Sequence, residues 1–319
     1  MRSSTSSALG VLRRLVAVAE LPAVAVIEPA DPASYGLDNR LTLGVLEDGQ
    51  AVLLRQNSDV LVSPRPRVDF LRRNGIPMPN LYAADDAGNS LWEFIPGRPL
   101  ADLVATGACN DTVWHQTGAA LATVHAVIFP APLQGPINAE SVTLRPVDPV
   151  DQLQEKIQSN QRWAERHRPP LVHVLDRVAS FTAARSAQIR AERPTVTHGD
   201  VNLLNIIAGP ERVQLIDWDN PLVRYPLIEL AALDEHAYLH GYHDGLPAAF
   251  FTGYGREVPA DLLLAYRIVG CIGWLSGDDW TAWQNDPALP DLARKRTHRW
   301  HTRLQRWADE TPNLIGSLA

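Results

Sequence analysis

The sequence predicts an α+β chain of two lobes, a β-rich first lobe over residues 1–97 and a mainly helical second lobe over 98–319. Three observations carry that expectation. Short β-prone runs separated by turn signals recur before residue 95. Apolar positions recur near a 3.6-residue period beyond residue 110. Between them Ile95-Pro96-Gly97-Arg98-Pro99 interrupts both patterns and reads as a hinge. The 319 residues suffice for two units of about 150 each.

Taken in order, the chain opens on an amphipathic helix at about 5–20, followed by strands at 23–28, 40–46 and 51–55. Glu47-Asp48-Gly49-Gln50 is a hairpin turn between the last two. A short helix at 65–74 stops at Asn74-Gly75, and Ile76-Pro77-Met78-Pro79 leads into strands near 80–84 and 90–94. Helices follow at 110–127, 148–166 and 171–191. Thr195-Val196-Thr197, Asn205-Ile206-Ile207 and Val213-Gln214-Leu215-Ile216 are short β runs, with Gly209-Pro210 turning the last two into a hairpin. Helices near 225–240, 259–276 and 287–309 complete the chain. No internal repeat or low-complexity tract interrupts it.

Composition narrows the partners. Apolar residues make up 45% of the chain, ordinary for a protein with a sizeable core. The net charge of −7, without a basic block, argues against nucleic acid or an anionic membrane as principal partner. Two cysteines, Cys109 and Cys271, do not make a disulfide framework, and a reducing cytoplasm is the expected setting. Arg2, Arg13 and Arg14 precede an apolar run that superficially resembles a targeting peptide, but Glu20 and Pro22 interrupt it. No stretch reaches the roughly 20 apolar residues that cross a bilayer.

The chemistry concentrates in His198-Gly199-Asp200-Val201-Asn202-Leu203-Leu204-Asn205 and in Ile216-Asp217-Trp218-Asp219, whose Asp217 stands twelve residues after Asn205. An acceptor hydroxyl needs a carboxylate to take its proton as a bond to phosphorus forms, and Asp200 suits that role. Magnesium prefers a few hard oxygen ligands, phosphate oxygens and water. Asn205 and Asp217 could supply an amide oxygen and a carboxylate. His198 is read as bracing the loop. Asp and Asn also favour turns, but turn chemistry alone does not produce both motifs at this spacing.

The pair of motifs is similar to the protein-kinase catalytic loop and its metal-binding Asp-Phe-Gly. Gly199 in place of Arg, and Asp-Trp-Asp in place of Asp-Phe-Gly, resemble the aminoglycoside phosphotransferase and choline kinase-like superfamily of small-molecule kinases. That resemblance spans about residues 24–275 and is specific at 198–219. It implies a bilobal protein-kinase-like fold, a nucleotide-binding first lobe, and a second lobe holding the catalytic hairpin and acceptor site. It also implies ATP or GTP with Mg2+, and a small-molecule acceptor.

Further residues follow from the resemblance. Leu91-Trp92-Glu93-Phe94-Ile95-Pro96-Gly97 looks like the family's hinge, so backbone groups of Glu93, Phe94 and Ile95 would meet the adenine edge. Tyr35-Gly36-Leu37-Asp38-Asn39 resembles the loop covering the phosphates, giving Gly36 and Asn39 a phosphate role. Arg55 stands where the family carries Lys or Arg on the third strand, and a guanidinium can bridge phosphate oxygens. Glu229 would brace the metal loop from a helix start, and His125 would be structural. Asp219, Asp234, Glu235, Asp278, Asp279 and Trp280 are candidates for the acceptor side, with Asp244 and Trp283 beside them.

Two departures matter. The family's Lys–Glu pair needs an acid on the first-lobe helix, where Asp69 alone is available, so either it substitutes or Arg55 is positioned otherwise. Asp219 replaces a small residue and could contact the metal's surroundings, contact the acceptor, or cap a helix. His236, His240 and His243 are spaced to face one metal, but polar histidines at a helix end are the expected reading. No glycine-rich P-loop with a lysine occurs. The functional expectation is an ATP-dependent kinase phosphorylating a hydroxyl of a small polar, even cationic, molecule: an antibiotic such as an aminoglycoside, or a metabolite such as an amino alcohol or sugar. The alternative is a catalytically inactive nucleotide-binding scaffold. A protein kinase is disfavoured, because no Ala-Pro-Glu follows Asp217.

Overall fold

The computed structural model describes residues 2–29, 40–56, 63–138, 142–242, 245–277, 285 and 291–318. Gly36, Asn39, His243, Asp244, Asp278, Asp279, Trp280 and Trp283 therefore lie outside the described residues.

The chain begins with helix α1 (Arg2–Val18) and a five-stranded sheet: β1 (Val24–Pro29), β2 (Arg40–Leu46), β3 (Ala51–Gln56), β4 (Leu81–Ala84) and β5 (Asn89–Glu93), in the order β1-β2-β3-β5-β4. All neighbours are antiparallel. Val52 and Leu54 alternate with less buried residues along β3, the period-two pattern of a strand with one covered face. That face packs against Leu12, Leu15 and Val16 of α1. Helix α2 (Arg65–Arg73) buries Val68 and Leu71, three apart on one stripe. Arg72 and Arg73 favour its C-terminal dipole, and the chain leaves through Gly75 at φ +77°.

After residue 97 come β6 (Arg98–Pro99), α3 (Leu100–Ala105), α4 (Asp111–His125), β7 (Leu133–Pro136), β8 (Arg145–Pro146), α5 (Pro149–His167), α6 (Pro170–Ala184) and α7 (Ser186–Ala191). The side chains of Asn110 and Asp148 accept from the first N–H groups of α4 and α5, which sets where these helices start. The single helix expected at 171–191 is two, because Arg185 leaves helical geometry, its guanidinium 2.8 Å from Asp261. Then follow β9 (Thr195–Thr197), β10 (Ile206–Ala208), β11 (Val213–Leu215), β12 (Leu222–Arg224), α8 (Pro226–Leu239), α9 (Ala248–Tyr254), α10 (Ala260–Leu275) and α11 (Asp291–Leu314). Gly118 of α4 and Gly253 of α9 let these helices touch: a Cβ on either would sit about 2 Å from a carbonyl oxygen of the other helix.

Two small sheets carry the motif. One has the order β11-β10-β6, the other β8-β7-β12-β9. The expected hairpin is β10–β11, but β9 belongs to the other sheet, pairing with β12. Residues 198–205 thus span two sheets, and 216–221 cross back between them. A second, larger core unites the helices with these sheets and also takes in Val68, Leu71, Ile76, Met78 and Leu81 from the first lobe. No helix among the described residues is long and apolar enough to cross a membrane.

Candidate active site

The loop after β9 is fixed from behind. His198 is fully buried, its backbone N–H donates to Glu229 Oε2 at 3.0 Å, and Gly199 N–H donates to Oε1 at 2.8 Å. Gly199 sits at φ +85°, and a Cβ there would lie 1.8 Å from the Asn220 carbonyl oxygen, so only glycine lets the two crossing segments pass. Glu229, fully buried in the first turn of α8, also pairs with His125 Nε2 at 2.9 Å, while His125 Nδ1 meets the Tyr254 hydroxyl at 2.8 Å. Burial pushes the Glu229 carboxyl up, but the His125 hydrogen bond and the charges of His125 and Arg224 outweigh it and hold it down at about 2. The His198 ring meets the Ile216 carbonyl through Nε2 at 2.8 Å and packs on Trp218, ring centroids 4.4 Å apart.

Within the loop, Asp200 is exposed. Asn205 Nδ2 donates to its carbonyl at 3.0 Å and to its Oδ2 at 3.1 Å, and Asn202 Nδ2 donates to its Oδ1 at 3.1 Å. Asn205 also accepts the Ile216 N–H on its backbone carbonyl at 2.9 Å, bringing Asp217 alongside. Asp217 takes φ +65°, a left-handed conformation that costs a non-glycine residue of the order of 1 kcal/mol or more. Burial raises its carboxyl from the usual range, Arg55 opposes that shift, and Asp219 and Asp200 add to it. Asp200 and Asn205 are thus bonded side by side, and the segment leading into Asp217 is bonded to the Asn205 backbone.

Arg55, on β3, reaches across from the first sheet. Its Nη1 lies 3.0 Å from Asp217 Oδ1 and 2.9 Å from Asp219 Oδ1, and its Nη2 contacts Asp219 Oδ2. Burial lowers its basicity, but Asp217 and Asp219 more than compensate, so it stays charged. Asp69 is exposed on α2. The alternative in which Arg55 is positioned otherwise is the one seen: its carboxylate partners come from beyond the hairpin. Asp219, expected on the acceptor side, has its carboxylate taken by Arg55 and by Arg67, whose Nη2 is 3.1 Å away.

A magnesium ion fits these residues. Asp217 Oδ1 is buried and, although close to Arg55 Nη1, makes no well-directed hydrogen bond. With Asn205 Nδ2 given to Asp200, the amide oxygen is the group left to coordinate. Among the described residues no group of three or more His, Cys, Asp or Glu could hold a metal. A site with two protein oxygens suits an ion that arrives with phosphate rather than one in an all-protein cage.

Elsewhere the expectations meet the geometry unevenly. Glu93 N–H donates to the Asn80 carbonyl at 2.7 Å and Phe94 N–H to that of Ala51 at 3.5 Å, so that of the three described residues expected at the adenine edge Ile95 is the one whose N–H is not given to a backbone carbonyl. Asp234, expected to face an acceptor, is buried, paired with Arg267 at 2.8 Å and bonded by Leu246 N–H at 2.7 Å. Glu235 is buried as well, and desolvation pushes its carboxyl up to about 8. His236 and His240, read as polar helix-end residues, are instead buried or half-buried beside Trp300, with ring centroids 6.0 and 5.3 Å away. Burial brings them down to about 4 and about 3, so both are neutral near pH 7. Asn202 and Arg67 escaped the sequence reading. An Asn two residues after a loop Asp is a turn signal that could have pointed to the first; nothing in α2's pattern points Arg67 at Asp219.

A family model described as the phosphotransferase enzyme family matches residues 32–267. No curated protein sequence matches the chain. Similar solved structures include a choline/ethanolamine kinase family protein from Mesorhizobium loti, 16% identical, covering 98% of both chains with a TM-score of 0.64. A choline kinase from Streptococcus pneumoniae is 17% identical, covering 93% of this chain and 98% of that one, with a TM-score of 0.55. A spectinomycin phosphotransferase in complex with ADP and spectinomycin is 14% identical, covering 95% of this chain and 98% of the other, with a TM-score of 0.57. At these identities the likeness is one of fold.

Proposed function

Since the chain belongs to the phosphotransferase enzyme family, we propose that it transfers the γ-phosphoryl group of ATP to a hydroxyl of a small polar molecule, with Asp200 as the base. The observation that carries this reading is the knot of Asp200, Asn205 and Asp217, joined by Asn205's bonds to Asp200 and to Ile216. In this reading residues 1–97 bind the nucleotide and 98–319 supply the catalytic groups and the acceptor site.

Asp200 is exposed, as a base must be to reach an incoming hydroxyl. It takes the hydroxyl proton as the acceptor oxygen bonds to the γ-phosphorus and the bond from that phosphorus to the bridging oxygen breaks, releasing ADP. Asn205 and Asp217 would hold Mg2+, which when bound neutralises charge on the phosphates. Arg55 steadies the phosphate tail, and Ile95 N–H is left to meet the adenine edge. His198 and Glu229 touch neither substrate; they hold the loop that presents Asp200.

On the acceptor side, Asp200's charge is felt by His236, which lies against Trp274 and Trp300. Arg296 stacks over Trp300 at 5.3 Å. Asp234 is already neutralised by Arg267, so this reading does not need a cationic acceptor. Antibiotic and metabolite acceptors both fit a site of this kind.

Asp200→Ala tests the reading. Mg-ATP binding should persist within about twofold, while turnover of any acceptor found by an ATP-consumption screen falls by about 10²–10⁴. Unchanged turnover would remove Asp200 as the base. Nucleotide binding with no turnover of any acceptor by the wild type would favour a scaffold.

A further inference from the structure

Extending the kinase reading, and resting on it, we propose that Arg67 is a second cation for the nucleotide's phosphates and that Asp219 positions Arg55 and Arg67 side by side for them. One carboxylate oxygen, Asp219 Oδ1, accepts from Arg55 Nη1 at 2.9 Å and from Arg67 Nη2 at 3.1 Å. Two guanidinium groups from different elements, strand β3 and helix α2, therefore converge on a single acid beside Asp217. The helix that elsewhere in such folds is expected to supply an acid here supplies a base.

The charge around this pair is what selects phosphate. Near Asp217 and Asp219 the two arginines are balanced. Once Asp217 turns to a divalent cation, Asp219 alone faces both guanidiniums. Arg67 has little else to satisfy it: its side chain is 17% exposed, and its Nε is buried with no hydrogen-bond partner. Burial lowers its basicity, Asp219 opposes that shift, and the like charge of Arg55 adds to it. An anion with several oxygens, presented between the two forks, relieves both deficits, and guanidinium matches phosphate bidentately. A carboxylate added by the protein would do the same, but Asp69 on α2 is turned out to solvent.

The competing explanation is a strut between lobes, in which Arg67 and Asp219 only hold α2 against the segment after β11. Binding as a function of phosphate number separates the two. Dissociation constants for ATP, ADP, AMP and adenosine, each with Mg2+, are measured calorimetrically on the full chain. Arg67→Gln should weaken ATP and ADP about tenfold, as expected for loss of a charged hydrogen bond. Adenosine should change by less than about twofold, since it makes no contact through phosphate. Should that variant not fold, Arg67→Lys keeps the charge without the fork and should show the same ordering with about a threefold effect. Asp219→Asn should raise the KM for ATP more than it lowers kcat, with Asp219→Glu restoring part of the affinity. Equal shifts for all four ligands, or none, would make Arg67 a strut and overturn the proposal. If the wild type binds none of the four, the nucleotide reading itself fails, a distinguishable result.

Discussion

The two strands of chain that build the site are held in opposite ways. Residues 198–200 are gripped from the interior, through Glu229 and its buried partners His125 and Tyr254. Residues 217–219 are gripped from the front, by Arg55 and Arg67 of the first lobe. The first grip is dry and uses backbone N–H groups; the second is half-exposed and uses side-chain charges. The segment carrying Asp200 is therefore held by the helical region alone, whereas Asp217 is tied to where Arg55 and Arg67 stand. On the proposed reading, in which a nucleotide binds between the lobes, that division would let the first lobe shift without disturbing Asp200.

The sharpest way to break the comparison is at Glu229. Glu229→Ala strands the His198 and Gly199 N–H groups and a buried His125, and should cost about 3–5 kcal/mol by equilibrium denaturation. Its pH dependence has a definite sign. The folded carboxyl is held down at about 2, against an ordinary value near 4.5. Its stabilisation is thus complete above about pH 4.5 and disappears as pH falls through about 2, on the order of 3 kcal/mol in all. Wild type should lose stability across that acid window more steeply than Glu229→Gln, if that variant folds. Parallel curves would mean that Glu229 is not charged in the folded protein.

At Asp217 the comparison predicts function without stability. Asp217→Asn removes a half-buried acid whose carboxyl is already pushed up by desolvation, and Asn tolerates φ +65° at least as well. The midpoint of thermal unfolding should stay the same or rise slightly. Mg-dependent affinity for ATP should fall about tenfold or more, since an amide replaces a carboxylate ligand. A variant that lost stability but kept Mg-dependent binding would reverse the roles assigned to the two grips.

These grips were unequally legible in the sequence. The motif at 198–219 and most element boundaries could be read, because spacing and periodicity are local. The front grip could not. Arg55 was visible as a strand cation, but its pairing with Asp217 and Asp219 spans more than 160 residues. Nothing in the sequence sets Arg67 apart on a helix whose burial pattern is set by Val68 and Leu71. The placement of β9 beside β12 was also hidden, since β12 is only three residues long and follows a loop. The surroundings of Asp234 and Glu235 were hidden for the opposite reason. The sequence offers both as acceptor-side candidates, yet α8 is buried nearly all round, and only the tertiary position of Arg267 explains how Asp234 is tolerated.

Asn202 offers the smallest effect and the finest test of the division. Its Oδ1 accepts from Leu204 N–H at 2.9 Å and Asn205 N–H at 3.2 Å, while its Nδ2 donates to Asp200 Oδ1 at 3.1 Å. One side chain therefore closes the turn between Asp200 and Asn205, and it does so without touching Glu229, Arg55 or Arg67. Asn202→Ala should cost about 1 kcal/mol of stability, the usual value for losing a local side-chain cap. Because Glu229 still fixes the loop's entry, kcat should drop only about three- to tenfold, within the range of one lost hydrogen bond. Arg55 and Arg67 do not depend on Asn202, so the KM for ATP should hold within about twofold. A KM that rose as much as kcat fell would mean that the two segments move together, and that Asp200 is tied to the first lobe after all.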